Sequence, residues 1–513
     1  MKKIVLGALF LSILHSILFY GQDFGVSVVL FVLPMLLLII YSLHSKNKVK
    51  NAKAFILSIP ITLLSLTYAL FNNGVLNFIN MIAIIVLTTT MITWAIYDKF
   101  KFKDAFCKVF SIIFKPFGSI AEGVRVISNN LFKRKENVVQ VNKKTIKERK
   151  VIKQIIIGLV ISLPLLIIIL ALLISADTIF AELLEPIRYV IMNIFNIKFL
   201  SSIYFRIIFI ILLFMYVVAF ICSMLKMDSN KKINNSKGIS MQNITVNTVL
   251  TVLNIVYFLF SIVQFVYLFT SLGTSENFDY ATYARRGFFQ LMFVTLINFV
   301  IIITTSLNKR ETTKGINIYT KIMNMLLIVF TIIMILSSFL RMYLYEQEYG
   351  YTFLRLLVYF ILLTELILAI PTFVYVFNKK ISLLKYYIVI ISTMLVLLNF
   401  TNVDKTIARR NVDKYISEVN LKDKEAKIDI KYLKRLSVDA IPEIVRLYQN
   451  TSNVSLKSNI ERYLKYNPKI ASRSDKKIRV LFEHKNFQEF NLSQYEAKKA
   501  IQSLDLYGNR EYK

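Results

Sequence analysis

Long apolar segments alternate with polar connectors along this chain as far as residue 400. Each segment is close to the ~20 residues that an α-helix needs to cross the hydrocarbon core of a bilayer. Helices are expected because a segment in lipid must satisfy its own backbone hydrogen bonds. The pattern predicts an all-α integral membrane protein with a bundle of about 11 transmembrane helices. The segments are 4–20, 25–43, 54–71, 75–97, 154–175, 203–224, 247–270, 288–307, 322–340, 356–377 and 384–400.

Lys and Arg are concentrated in every second connector, whereas the connectors between carry none or two. Cytoplasmic connectors are enriched in cations, so this alternation predicts a cytoplasmic N-terminus in a cell membrane. An odd number of spans then places residues 401–513 on the extracytoplasmic side. We expect the first span to be retained, since no small-residue cleavage site follows it. The cation-rich connectors are 44–53, 98–150, 225–246, 308–321 and 378–383.

Composition divides the chain into four regions. Residues 1–97 form an N-terminal four-helix membrane region, and residues 98–153 form a basic cytoplasmic connector. Residues 154–400 form a seven-helix membrane core, and residues 401–513 form a small, mainly helical extracytoplasmic domain. This division assigns most polar motifs to one end of the bundle.

The basic connector begins with an amphipathic pattern. Phe102, Phe106 and Phe110 recur at helical spacing, and Lys101 and Lys108 mark the opposite face. Such a pattern is typical of a helix lying in the membrane interface against anionic inner-leaflet lipids. The helix could anchor the bundle, or it could sense lipids or dock a partner.

The polar C-terminal region carries several local signals. Asp439 is predicted to cap a helix, and a second helix is expected over 454–466. Ser493 with Glu496 has the spacing of a capping box. A strand is predicted over 477–482. We therefore expect several short helices resting on the membrane end.

Composition supports the membrane class. Of 513 residues, 56% are hydrophobic and the mean hydropathy is +0.57, which is rare for a soluble protein. The formal net charge is +32, but most cations adjoin spans, so lipid headgroups rather than nucleic acid are the expected partner. The two cysteines, Cys107 and Cys222, cannot provide a disulfide framework or a metal site. Without a phosphate-binding loop, nucleophile motif or His/Cys metal spacing, we expect no cofactor and favour a non-enzyme.

Polar side chains cluster at the predicted extracytoplasmic ends of the spans. Arg binds carboxylates and phosphates, so these clusters could line a cavity for a ligand, lipid headgroup or peptide. They could instead be interfacial anchors and structural ion pairs. The candidate binding residues are Asp177, Tyr283, Arg285, Arg341, Tyr345, Tyr349, Thr352, Arg355 and Asp404.

Glu365 lies in the middle of a predicted span. A carboxyl group there is costly unless it is paired, protonated or facing a cavity. Its candidate partners are Thr364, Gln264, Gln290, Asn298 and Arg206. Glu365 could hold helices together or could act in transport.

Several of these motifs, taken in order, resemble an uncharacterised bacterial membrane family, the domain of unknown function 4153/4173 group. The resemblance covers roughly 155–505 and implies a polytopic protein of the bacterial cell membrane with an external helical tail, but no reaction. The chain departs from the family pattern at Thr178, Arg286, Val403 and Phe487. The motifs are Ser175-Ala176-Asp177-x-x-Phe180, Tyr283-Ala284-Arg285-x-Gly287-Phe288, Arg341-Met342, Tyr349-Gly350-x-Thr352-x-x-Arg355, Asn402-x-Asp404, Asp429-x-x-Tyr432-Leu433, Ser437-x-Asp439-Ala440-x-Pro442 and Phe490-Asn491-Leu492-Ser493.

Three functions are compatible with this sequence. The leading hypothesis is a receptor or accessory envelope component whose external face binds a ligand or a protein partner. The second is a membrane-embedded transferase for a lipid-linked substrate, with Asp177 as base or metal ligand and Arg341 and Arg355 holding a phosphate; this analogy is at the level of fold. The third is a secondary transporter using Glu365, although no inverted repeat is evident.

Overall fold

The computed structural model describes residues 1–97, 203–226, 243–265, 288–307, 314–420, 428–466, 471–474, 477–480 and 487–504. Helices dominate these residues. The membrane helices are α1 Lys2–Phe19, α2 Val26–Ser45, α3 Ser58–Leu70, α4 Gly74–Ile96, α5 Ile203–Leu225, α6 Asn243–Phe265, α7 Phe288–Leu307, α8 Lys314–Tyr349, α9 Phe353–Phe377 and α10 Leu383–Phe400. The C-terminal elements are α11 Val403–Asn420, α12 Ile430–Leu433, α13 Ile441–Asn450, α14 Val454–Tyr466, β1 Ala471–Ser474, β2 Lys477–Val480 and α15 Leu492–Gln502, with short 3₁₀ turns at Ala52–Leu57, Val438–Ala440 and Phe487–Glu489.

The apolar helices establish a membrane-embedded helical protein. Among the described residues, eight helices are long and apolar enough to cross a membrane, and α6 and α7 contain shorter apolar stretches. Together these ten helices coincide with ten of the eleven segments expected from the sequence. The segment 154–175 and the amphipathic pattern after residue 98 lie outside the described residues. The total of eleven spans therefore stays a prediction.

Hydroxyl side chains inside the spans are largely satisfied by their own helix. The Ser42 hydroxyl donates to the Leu38 carbonyl at 2.6 Å, and the Thr93 hydroxyl donates to the Thr89 carbonyl at 2.7 Å. Such back-bonding satisfies the hydroxyl without a second helix. Contacts between the described helices therefore depend on apolar packing and on a smaller set of polar side chains, which includes Asn, Thr, Tyr, Glu and the Arg206–Ser16 pair.

The membrane helices pack in two groups. Helices α1–α5 surround one apolar core, which includes Leu43, Ile61, Met91 and Met224. Helices α6–α9 surround a second core. Helix α10 joins the groups because it contacts both α9 and α3.

The C-terminal helices form a layer with its own core. Helix α11 follows α10 after a sharp turn at Asn402, whose φ of 44° is left-handed, a conformation that Asn tolerates better than most residues. Helices α11–α15 bury a shared apolar cluster containing Val412, Ile444, Leu464 and Ile501. We call this layer, residues 403–504, the cap.

Two caps predicted from the sequence are wrong. Asn491, not Ser493, caps α15, because its side chain accepts a hydrogen bond from Gln494 N at 3.1 Å. The Ser493 hydroxyl instead donates to the Leu70 carbonyl at the end of α3. Asp439 does not cap α13, because its carboxylate accepts from Asn72 N. In each case the side chain bonds to a residue that is distant in the sequence, and not to a backbone N–H of its own helix.

Other local predictions for the cap are confirmed. Helix α14 has the predicted bounds, Val454–Tyr466. The predicted strand is β2, which pairs with β1 in an antiparallel hairpin that joins Ala471 to Val480 and Ser474 to Lys477.

The cap lies at one end of the bundle. It contacts the α1–α2 connector, where Asp23 N donates to the Glu489 side chain at 3.3 Å, and the α3–α4 connector, where Asn73 Nδ2 donates to Asp404 at 3.0 Å. It also contacts the α8–α9 turn at Tyr351. These are the connectors that the sequence assigns to the same side as residues 401–513.

Candidate functional site

The α8–α9 turn carries most of the candidate binding residues. Helix α8 has 36 residues and is about 54 Å long at 1.5 Å per residue, which exceeds a hydrocarbon core of about 30 Å. It can therefore project beyond the bilayer. It ends at Gly350, whose φ of +73° is left-handed, and Gly350 N donates to Glu346 O at 2.8 Å. Glycine adopts this backbone conformation without strain, which allows the tight turn between α8 and α9.

Arg355 is held against this turn by two aromatic rings. Its guanidinium carbon lies 4.1 Å from the Tyr345 ring centroid and 5.9 Å from that of Tyr349. It also donates a hydrogen bond to the Gly350 carbonyl. Tyr351 lies before α9 and does not share a helix face with Arg355. Arg355 and Tyr345 thus form a cation–π stack where α8 ends and α9 begins.

A second cation–π stack flanks the first. Arg410 of the cap donates to the Tyr351 hydroxyl at 2.9 Å, and its guanidinium carbon lies 5.0 Å from that ring's centroid. Asn411 exchanges hydrogen bonds with the backbone of Tyr351, at 3.0 Å to its amide and 2.9 Å to its carbonyl. Burial raises the pKa of Tyr351, and Glu346 raises it further. The turn is therefore fixed to the cap on one side and to α9 on the other.

The remaining candidates near this turn are less exposed. Arg341 is buried on α8, and so is Glu346 of the same helix, which is not one of the candidates. Thr352 stands at the start of α9, where its carbonyl accepts from Leu356 N at 3.1 Å and its side chain forms no cap. Five of the predicted residues, including Tyr349, thus lie on the last turns of α8 or the first turn of α9.

Asp404 lies at a separate, buried junction. It stands in the first turn of α11, where the helix dipole favours a carboxylate. Its Oδ2 accepts from Asn73 Nδ2 at 3.0 Å and from Ser437 N at 2.9 Å. The two sites are connected through Tyr432, whose hydroxyl accepts from Phe353 N at 2.7 Å. Burial raises the pKa of Tyr432; the Asp404 carboxylate raises it further, whereas the hydrogen bond to Phe353 and the Arg355 guanidinium lower it.

Asp439 completes the junction and was missed as a site residue by the sequence analysis. Both of its carboxylate oxygens accept from Asn72 N, at 3.0 and 3.1 Å, and Ser437 Oγ donates to it at 3.0 Å. Burial raises the pKa of Asp439, and the nearby Asp404 adds to this effect against the opposing hydrogen bonds. The run Asn72-Asn73 between two spans is the sequence signal that could have indicated an acceptor nearby.

Glu365 is buried in the membrane region, with 1% of its surface exposed. The Thr295 hydroxyl on α7 lies 2.7 Å from Glu365 Oε2 and equally close to the Met292 carbonyl. Glu365 Oε1 has no hydrogen-bond partner among the residues that the structure describes. Three of the partners expected from the sequence bond elsewhere: Asn298 to Tyr257, Thr364 to the Phe360 carbonyl and Arg206 to Ser16. Gln290 is exposed, and the side chain of Gln264 lies outside the described residues.

Glu365 is one of several polar residues along the interfaces of α6, α7, α8 and α9. Each pair joins two helices by a side chain at 2.7–3.0 Å. Together they extend from the second turn of α8 toward its cap end. The pairs are Asn247–Thr320, Thr305–Asn324, Asn254–Met323, Tyr257–Asn298, Asn298–Thr331 and Thr295–Glu365.

The described residues contain no group of three His, Cys, Asp or Glu side chains that could hold a metal ion. Asp404 and Asp439 supply two carboxylates, and backbone and side-chain N–H and O–H donors already occupy both. This junction is therefore built for hydrogen bonding between elements. Asp177, Tyr283 and Arg285 lie outside the described residues.

A family model described as Domain of unknown function (DUF4153) matches residues 58–447, which is more than half of the chain. The chain belongs to the DUF4153 family. The resemblance seen in the motifs is confirmed, with a match that begins earlier and ends sooner than those motifs. No curated protein and no solved structure matches the chain.

The DUF4153 region contains both residues of every contact described above for the α8–α9 turn and for the Asp404–Asp439 junction. It begins at the first residue of α3 and ends within α13, so it includes Glu365, Arg355, Asp404 and Asp439. Helices α1, α2, α14 and α15 lie outside it. The junction between the cap and the α3–α4 connector is thus internal to the family domain.

Proposed function

We propose that this DUF4153 protein is a non-enzymatic receptor or accessory component of the cell envelope, with eleven spans and an extracytoplasmic cap. Its ligand or partner face is the α8–α9 turn together with the adjoining surface of α11. The observation that supports this proposal most directly is the pair of cation–π stacks, Arg355 on Tyr345 and Arg410 on Tyr351, on either side of Gly350. Guanidinium groups fixed in this way are prepared to bind a carboxylate or phosphate.

The cap provides a route from this face to the helices. Buried and partly buried hydrogen bonds connect it to the ends of α3 and α4 through Asp404 and Asp439, and to the α8–α9 turn through Asn411. Ligand binding that moves α11 would therefore change contacts at several helix ends. A receptor needs such a connection, because a ligand can shift a conformational equilibrium only through differential contacts with the two states.

The extracytoplasmic assignment is supported by charge. Lys46, Lys379 and Lys380 lie in connectors opposite the cap, and the positive-inside rule assigns that end to the cytoplasm. A labelling experiment tests this in a Cys107→Ser/Cys222→Ser background. Val454→Cys on the cap should react with a membrane-impermeant maleimide in intact cells, whereas Lys46→Cys should react only after permeabilisation. The reverse pattern would refute the orientation.

Ligand binding can be tested with inorganic phosphate as the probe. We expect phosphate to raise the thermal unfolding temperature of the purified protein, and we expect Arg355→Gln with Arg410→Gln to remove that increase. Arg462→Gln is the matched control, because Arg462 is an exposed arginine on α14, a helix that packs against other cap elements. An equal phosphate effect in all variants would rule out the α8–α9 face as the anion site.

A second candidate, a proton-coupled secondary transporter, is supported by Glu365. A carboxyl group buried among apolar side chains must pair with a cation or carry a proton. No ion pair to Glu365 exists among the described residues, and other polar side chains continue along the neighbouring interfaces. In proteoliposomes with an internal pH-sensitive dye, Glu365→Gln should abolish proton flux, while Glu489→Gln in the cap should not. Unchanged flux in Glu365→Gln would exclude this candidate.

A further inference from the structure

The 3₁₀ turn at Phe487–Glu489 and the start of α15 lie at the level where α2 begins. Val26 N, at the first residue of α2, donates to Phe490 O at 3.1 Å, and Asp23 N donates to the Glu489 side chain at 3.3 Å. Helix α2 has 20 residues, so its length of about 30 Å matches the hydrocarbon core. The beginning of α2 therefore marks one boundary of the bilayer, and the cap segment 487–492 lies at that boundary.

Side chains in this segment alternate between two directions. Asn491 and Ser493 are buried and bond to the end of α3, where Asn491 Nδ2 donates to the Tyr68 and Phe71 carbonyls at 2.9 Å. Phe490 and Leu492 are 38% and 37% exposed. The buried residues thus fix the segment to the bundle while their neighbours face outward.

Exposed apolar residues stand in both of the chain segments that these hydrogen bonds join. Phe487 is 66% exposed, and Phe24 in the α1–α2 connector is 61% exposed. With Phe490 and Leu492 they form what we call the apolar rim. Helix α2 begins two residues after Phe24 and has an exposed face that carries Leu30, Leu33 and Leu37. That face belongs to a helix apolar enough to span the membrane, so its neighbour is lipid.

We propose that the apolar rim is inserted into the bilayer interface and anchors the cap to the leaflet at its end of the bundle. Apolar area exposed to water is unfavourable, and aromatic side chains concentrate at the membrane interface. The partner is the lipid surface itself. The cap is then held by two attachments: hydrogen bonds to the helix ends and apolar contacts with lipid beside α2.

Lipid quenching of tryptophan fluorescence tests this in the full-length protein reconstituted in bilayers. The chain has a single tryptophan, Trp94, which is buried in α4, so Trp94→Phe gives a background for Phe487→Trp. Lipids brominated near the top of the acyl chain should quench Trp at 487 at least twofold more than Trp at 454. Val454 is the matched control, because it is 80% exposed on α14, a helix that contacts other cap elements. Equal quenching at both positions would overturn the proposal.

A second measurement avoids replacing Trp94. A nitroxide attached to Phe487→Cys, in the Cys107→Ser/Cys222→Ser background, should be more accessible to oxygen than to a water-soluble nickel complex. The same label at Val454→Cys should show the opposite preference. If the label at 487 instead gives spin–spin broadening that dilution with unlabelled protein removes, the rim contacts a second copy of the chain and the lipid assignment is wrong.

Discussion

Asn80 and Asn399 exchange two side-chain hydrogen bonds inside the bundle, although 319 positions separate them. Asn80 Nδ2 donates to Asn399 Oδ1 at 2.7 Å, and Asn399 Nδ2 donates back to Asn80 Oδ1 at 3.1 Å. Asn80 also donates to Thr67 on α3 at 3.0 Å. This reciprocal amide pair joins α3, α4 and α10, and therefore helps to hold α10 between the two helix groups.

Asn80→Leu should lower the stability of the bundle by about 1–2 kcal/mol, since interhelical hydrogen bonds in membranes contribute up to about 1.7 kcal/mol. The loss follows because Asn399 is left with an unpaired amide in an apolar environment. The double variant Asn80→Leu/Asn399→Leu should lose less than the sum of the single variants. Thermal unfolding of the four proteins in one detergent measures this coupling, and strict additivity would contradict the pair.

Stability should depend on pH through Asp439. Burial raises the pKa of this carboxyl group above its ordinary value, so the folded protein binds the proton more tightly than the unfolded chain. Its contribution is therefore fully present below the unfolded pKa, about 3.9, and is lost as the pH rises through the folded pKa. We expect Asp439→Asn to flatten the rise in unfolding temperature on acidification from neutral pH.

Asp413→Asn is the matched control for that experiment, because it removes an exposed cap carboxylate paired with Arg446. Its pH profile should keep the rise that Asp439→Asn loses. If both variants retain the wild-type slope between neutral pH and pH 4, Asp439 does not contribute to it.

Gly25→Ala should detach the cap segment from α2. A Cβ at Gly25 would lie 2.6 Å from the Glu489 carbonyl carbon and from Phe490 O, and these are backbone atoms that cannot rotate away. The hydrogen bond from Val26 N to Phe490 O would be lost, and overpacking of this kind costs about 1–3 kcal/mol. Limited proteolysis should cut near residue 487 faster in this variant.

Gly74→Ala gives the corresponding control. A Cβ at Gly74, the first residue of α4, would meet no atom within 4 Å. Ala is the better helix former by about 1 kcal/mol, so this variant should be as stable as the original protein or slightly more stable. A similar increase in cleavage in both glycine variants would mean that the contact at Gly25 is not the cause.

Arg355→Lys should weaken the α8–α9 turn although the charge is retained. Lys lacks the planar guanidinium that stacks on Tyr345 and bonds to the Gly350 carbonyl. The expected loss is about 1 kcal/mol, as for a partly buried cation–π contact. Arg435→Lys, at an exposed cap position, should leave the unfolding temperature unchanged. Equal stability of the two variants would show that the stack does not contribute.

Helix positions in the membrane region were predictable from the sequence. Apolar runs of sufficient length leave a chain in lipid few alternatives to a helix, and ten of the expected segments coincide with helices. The turn at Gly350 was also predictable, because few other residues adopt a left-handed backbone easily. Both predictions depend only on neighbouring residues in the sequence and on the lipid or water around them, so no tertiary contact has to be known.

Partners of the polar residues were not predictable in the same way. Glu365 pairs with Thr295 on α7, Asp404 with Asn73, and Ser493 with the end of α3 rather than with its own helix. A hydroxyl, amide or carboxylate accepts any suitable neighbour within about 3 Å, and helix packing decides which neighbour comes that close. The sequence by itself determined where the helices lie, because burial in lipid imposes its own pattern. Only the tertiary structure decided which polar groups meet, because those contacts join residues that are distant in the chain.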